Sequence, residues 1–80
     1  MPTILRIGAF RFFFYSNEGV EPTHIHVQSG SALAKFWLQP VHLANSAGFG
    51  AKELNQLLHL VREHESLFVE AWNEFFNPER

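Results

Sequence analysis

The chain contains no cysteine. That excludes a disulfide scaffold and thiolate metal sites, and makes a reducing compartment the default. It has no apolar run near the roughly 20 residues needed to cross a bilayer. Its first residues, Met1-Pro2-Thr3-Ile4-Leu5-Arg6, lack the long apolar stretch of a signal peptide. A soluble, cytoplasmic protein with no membrane partner is expected. A broad basic face is missing too. Residues 1–50 carry Arg6, Arg11 and Lys35 against Glu18 and Glu21, whereas residues 51–80 carry Lys52, Arg62 and Arg80 against six glutamates. Duplex DNA demands an extended basic surface, so it is not an expected partner. Contact with RNA would have to be local and on the first half.

What the chain has in quantity is aromatic. Nine Phe, two Trp and one Tyr stand among 80 residues, of which 46% are hydrophobic. Eighty residues make a single domain, 1–80, and a chain of this size buries only about 60% of its unfolded surface. Rings burying on the order of 150–250 Å² each supply most of such a core. So small an interior does not hold all of them, which points to an exposed aromatic patch that meets a partner.

The first half reads as strands. Thr3–Ile7 ends at a glycine, and Phe10–Ser16 follows with Phe10, Phe12 and Phe14 on one face and Arg11, Phe13 and Tyr15 on the other. Asn17-Glu18-Gly19 supplies a turn in which Gly19 can take positive φ. Pro22 forces Glu21 into an extended conformation. His24–Gln28 reads as a third strand, with Ile25 and Val27 inward and His24, His26 and Gln28 outward. Ala32–Leu38 reads as a fourth. Pro40–Asn45 is expected to form one or two helical turns ended by Gly48, because proline suits the first helical position.

The second half changes period. Leu54, Leu57, Leu58 and Val61 at i, i+3, i+4 and i+7 mark an amphipathic helix over 51–64. A further apolar face over 65–76 ends at Asn77-Pro78, and the pattern does not say whether 51–76 is one kinked helix or two. The expected fold class is α+β: a small antiparallel sheet of about four strands, followed by two or three C-terminal helices packed on one face.

The chemistry concentrates in Glu18-Gly19-Val20-Glu21-Pro22-Thr23-His24-Ile25-His26. Histidines two apart in a strand share a face. Three readings follow. In the first, His24 and His26 are an acid–base pair that cleaves RNA without metal or other cofactor; Glu21 stands beside them, and Lys35 or Arg11 neutralises phosphate charge. In the second, His24 and His26 ligate a metal such as zinc, with a third ligand from Glu21, Glu18 or His42. In the third they are ordinary polar residues of an edge strand, and the chain is a non-catalytic interaction module that binds a partner protein through its aromatic sheet edge. Trp37 stacks on a base or packs as a half-buried core ring. Arg11 pairs with Glu18 or Glu21 or reaches ligand. Lys35 binds phosphate or guards a sheet edge.

Phe12-Phe13-Phe14-Tyr15-Ser16-Asn17-Glu18-Gly19, Glu21-Pro22-Thr23-His24-Ile25-His26-Val27, Ala34-Lys35-Phe36-Trp37-Leu38 and Trp72-Asn73-Glu74-Phe75-Phe76 resemble a small bacterial family, domain of unknown function 4160. The resemblance covers nearly the whole chain. It implies a toxin-like member of a type II toxin–antitoxin-type pair, bound by a small cognate protein encoded nearby, and it brings no established catalytic residues. Its motif positions here are Glu21, His24, His26, Lys35 and Trp37. Two positions depart from the family pattern. Thr23 stands where a second proline is usual, and Gly50 stands where a serine often opens a capping box with Glu53.

Overall fold

In the computed structural model, which describes residues 3–77, five strands precede two helices. The strands are β1 (Thr3–Ile7), β2 (Phe10–Phe13), β3 (His24–Ser29), β4 (Ala32–Leu38) and β5 (Val41–Ala47). They form one antiparallel meander in the order β1-β2-β3-β4-β5. Helices α1 (Ala51–Glu63) and α2 (Glu65–Phe76) follow. The α+β class holds, with five strands rather than four and two helices broken at His64.

The fifth strand replaces the helical turns expected over Pro40–Asn45. Pro40 lies in the turn after β4 instead of starting a helix, and Val41, His42 and Leu43 pair with Leu38, Trp37 and Phe36. Pairing satisfies the backbone of β4, which would otherwise be an edge. The seven residues of 41–47 are too short a run to carry a helical period that opposes it. β2 is also shorter than the Phe10–Ser16 reading, because the chain leaves the sheet after Phe13.

Alternation sorts the side chains into two faces. Phe12, Ile25, Val27, Ala34 and Phe36 meet Leu57, Val61 and Phe68 from the helices in one core. Helix α1 packs against β4 and β5, and α2 against β3 and β4. The other, outer face is met by α2 at one end, where Trp72 reaches the His24 ring. Along α1, Gly50 at the N-cap has no side chain to offer, and only half a capping box remains: the Gly50 N–H donates to Glu53 Oε1 at 3.2 Å. Pro78, expected to stop α2, lies outside the described residues, as do Met1 and Pro2.

The C-terminal turn of α2 closes the far end of the sheet with rings. Phe14 meets Trp72, Phe75 and Phe76 at centroid separations of 5.3, 5.5 and 5.4 Å. This corrects the role assigned to Gly19. Its φ is not positive; what demands glycine is space, since a Cβ there would stand 2.6 Å from Phe76 Cδ1. Gly19→Ala is therefore expected to cost about 1–2 kcal/mol through displacement of the Phe76 ring. Chemical denaturation checks this: Phe76→Leu should absorb most of the cost in the double variant, and equal costs in both backgrounds would contradict it.

No helix among the described residues is long and apolar enough to cross a membrane.

Candidate functional site

The site is built where β2 hands over to β3. Leaving the sheet, the chain turns through 16–21, and the Tyr15 N–H donates to Glu18 Oε1 at 2.9 Å. The Glu21 N–H donates to the Glu18 carbonyl at 3.1 Å, closing a tight turn. Both bonds fix Glu18 against the start of β3. Pro22 then sends the chain into the strand, and the Leu38 N–H donates to the Thr23 carbonyl at 3.1 Å, extending the β3–β4 pairing by one step.

His24 and His26 point away from Ile25 and Val27, as alternation requires. They do not reach solvent, however. His24 is fully buried and His26 is 7% exposed. The loop carrying Glu18 folds over them, and rings complete the cover. The His24 ring lies 4.8 Å from Trp72 and 5.7 Å from Trp37, and the His26 ring stacks on Phe13 at 5.4 Å with Tyr15 edge-on at 4.9 Å. The expectation of outward, solvated histidines is thus corrected. Periodicity assigns a face to a residue; it does not say what later folds onto that face.

Glu18 is the hub. Its Oε2 lies 2.9 Å from His26 Nε2, and its Oε1 lies 2.9 Å from His24 Nε2. The two contacts are unlike. His26 Nε2 donates to the carboxylate in a proper hydrogen bond. His24 Nδ1 donates to the Pro22 carbonyl at 2.9 Å, whereas its buried Nε2 makes no hydrogen bond, because Glu18 Oε1 lies off the line a hydrogen would need. Nδ1 is thus engaged by the Pro22 carbonyl, and the buried Nε2 faces a carboxylate oxygen at 2.9 Å with no hydrogen bond between them.

Burial pushes Glu18 up, but the hydrogen bonds from His26 and the Tyr15 backbone, with the charge of His26, outweigh it and hold the carboxyl below its ordinary value of 4.5. Burial pushes the His26 imidazole below its ordinary value of 6.5, and the hydrogen bond and charge of Glu18 only partly oppose this. In both cases the unfolded chain binds more protons than the folded one, so stability rises with pH. For the metal-free protein, the stabilisation from His26 is complete above pH 6.5 and is lost as pH falls below it. The stabilisation from Glu18 is lost below pH 4.5. Melting temperatures should therefore fall on acidification in these two windows, and a flat profile from pH 7 to 4 would contradict the burial of the pair.

The other expected residues fall around this hub. Glu21 is not a third partner of the pair. Its carboxylate takes a hydrogen bond from Lys35 Nζ at 2.7 Å, which holds its pKa below the ordinary carboxylate value, and it stands 3.7 Å from His24 Nδ1. Lys35 also lies 4.4 Å over the Trp37 ring, on an interior strand, so it guards no edge. Arg11 does not pair with Glu18 or Glu21. Its Nε and Nη1 donate to Thr3 Oγ1 at 2.8 Å and Gln28 Oε1 at 3.0 Å, and the guanidinium covers the Phe13 ring at 4.5 Å. Register explains this: Gln28 faces Arg11 across β2 and β3.

Trp37 lines a cleft of about 470 Å³ with Pro22, Thr23, Gln39 and His42. His42 belongs to that cleft, with Nδ1 3.1 Å from the Pro40 carbonyl, and takes no part in the hub. Of the three candidate third ligands, the structure brings Glu18 to the histidines. One ligand atom from each of Glu18, His24 and His26 lies within 4.8 Å of the other two. Spacing alone did not single out Glu18, since its approach depends on the loop folding back.

The model of one family, described as Domain of unknown function (DUF4160), matches residues 9–73. No curated protein and no solved structure matches the chain. The matched segment runs from the start of β2 to the last turns of α2 and contains the entire Glu18–His24–His26 hub, and the chain belongs to the DUF4160 family.

Proposed function

We propose that this protein binds a divalent metal ion through Glu18, His24 and His26, with zinc the best-suited ion, and that metal-assisted hydrolysis is its reaction class. The observation that carries this reading is His24 Nε2: fully buried, without a hydrogen bond, 2.9 Å from a carboxylate oxygen. A cation between the two atoms satisfies both. The donor set of two imidazoles and one carboxylate suits zinc. Metal–ligand bonds of about 2.0–2.2 Å hold tetrahedral ligand atoms roughly 3.4 Å apart. Counted from Glu18 Oε1, the two histidine nitrogens already stand at 2.9 and 3.1 Å, so modest side-chain rotation converges the set.

The surrounding groups support the same reading. A ligating histidine usually donates its second ring N–H to a carbonyl or carboxylate, which fixes tautomer and ring orientation, and the His24–Pro22 bond does this. The Tyr15 N–H orients the carboxylate in the same way. Three protein ligands leave a coordination position for water or substrate, the arrangement of reactive sites as opposed to closed structural ones. Metal-free cleavage by the histidines as an acid–base pair is less favoured, because both Nε2 atoms turn toward Glu18 and His24 offers no atom to substrate.

The setting implied by the family resemblance, a toxin-like half of a two-gene module, remains part of the proposal. The test is thermal: zinc at 100 times its Kd should stabilise the chain by about 2.7 kcal/mol, with reversal by chelator. His24→Gln should abolish the shift. A melting temperature indifferent to zinc and chelator would overturn the reading.

A further inference from the structure

The two arginines of the sheet stand directly opposite one another, Arg6 on β1 and Arg11 on β2. Cross-strand partners share a face, and like charges in that relation repel. Among the described residues neither has a carboxylate within ion-pairing distance. The Arg11 guanidinium is nevertheless held in place by two neutral acceptors, Thr3 and Gln28, and by the Phe13 ring. Neutral acceptors orient a cation without cancelling its charge. A fixed, uncompensated guanidinium beside a second one is a seat for an anion, and the planar fork suits phosphate above all.

The seat lies on the outer face, and the Phe13 ring beneath the Arg11 guanidinium is also the ring on which His26 stacks. Two residues further along β3 from the seat comes the hub, and two beyond that the Trp37–His42 cleft, because Gln28, His26 and His24 register with Arg11, Phe13 and Trp37 in turn. Basic seat, hub and aromatic cleft thus follow one line along the sheet, spanning about 13 Å over four strand residues. Among the described residues, the second-half glutamates Glu53, Glu63, Glu65, Glu70 and Glu74 lie on the helices.

We infer that this outer face binds a single-stranded nucleic acid, with a base in the cleft against Trp37, a phosphate on Arg6 and Arg11, and the backbone between them passing the Glu18–His24–His26 centre. This rests on the proposed function only for what happens at the centre, since the seat and the cleft exist without a metal. The chemistry is that of single-strand recognition on an open sheet: aromatic platforms for bases and a few cations for the backbone. The span is longer than one nucleotide reaches, so a strand is required.

Fluorescence anisotropy with labelled hexanucleotides of RNA and DNA, at low salt, with zinc and with chelator, tests this on the whole chain. The expected result is binding in both conditions, tighter with zinc, and at least tenfold tighter than a mononucleotide. Arg6→Gln/Arg11→Gln should lower the salt slope of log Kd by about 0.7, the share of one phosphate, and Trp37→Leu should weaken binding about tenfold. Arg6→Gln alone, at an exposed position, should weaken binding with an unchanged melting temperature. RNA and DNA bound equally assign recognition to base and phosphate; RNA bound better adds the 2′-hydroxyl. Absence of strand binding by a chain that titrates with zinc would overturn this inference and leave the metal reading standing. Strand binding with no zinc uptake would sustain it and overturn the metal reading. Equal binding of a polyglutamate peptide would assign the face to an acidic protein and also overturn it.

Discussion

Phe68→Ala is expected to cost about 3–5 kcal/mol and to lower the melting temperature by on the order of 15–30 °C. Phe68 is fully buried and stacks on Phe12, with ring centroids 5.3 Å apart and planes inclined by 25°. It is one of the rings by which α2 is seated on the sheet, with Trp72 against His24 and Phe14. A domain of 80 residues holds only about 4–12 kcal/mol of net stability, so the loss consumes a large share of it. Collapse of the neighbours into the space is limited, because Phe12, Leu57 and Val61 are themselves fully buried and packed in the same cluster. Urea unfolding measures the loss directly. A cost below about 1.5 kcal/mol, of the size found when a core repacks freely, would mean that α2 is not anchored there.

Glu18→Ala is expected to cost the metal-free protein about 2–4 kcal/mol, because it removes one acceptor from two part-buried donors, the Tyr15 N–H and His26 Nε2–H. Glu18→Gln keeps an oxygen for one of them and should cost about half as much. Metal affinity should separate from stability in this pair, since both substitutions delete the carboxylate ligand and zinc uptake should collapse in both. Comparable zinc affinity in Glu18→Gln and wild type would show that the carboxylate is not a ligand.

The parts of the fold legible in the sequence are those with strong period. Leu54, Leu57, Leu58 and Val61 lie on one stripe, and α1 forms with that stripe inward. Phe12 and Phe14 fall on the core side and Phe13 on the other, as alternation requires. Pro40–Asn45 was not legible, because a proline is compatible both with a helix start and with a turn before a strand; pairing with β4 decided between them. The His24/His26 pair was legible as a candidate site, and so was its list of candidate partners. Three matters depended on how the 16–21 loop folds back, which no local pattern encodes: the burial of both rings, the choice of Glu18 over Glu21, and the removal of His42 to the cleft. Arg11 escaped for a similar reason, its partners being set by register across strands.

Calorimetric titration of zinc into the metal-free chain shows whether Glu18, His24 and His26 close on one ion. One ion per chain is expected for the wild type, and no measurable uptake at the same concentrations by folded Glu18→Gln or His24→Gln. Failure of the wild type to bind, or binding by either variant with wild-type stoichiometry and affinity, would contradict it.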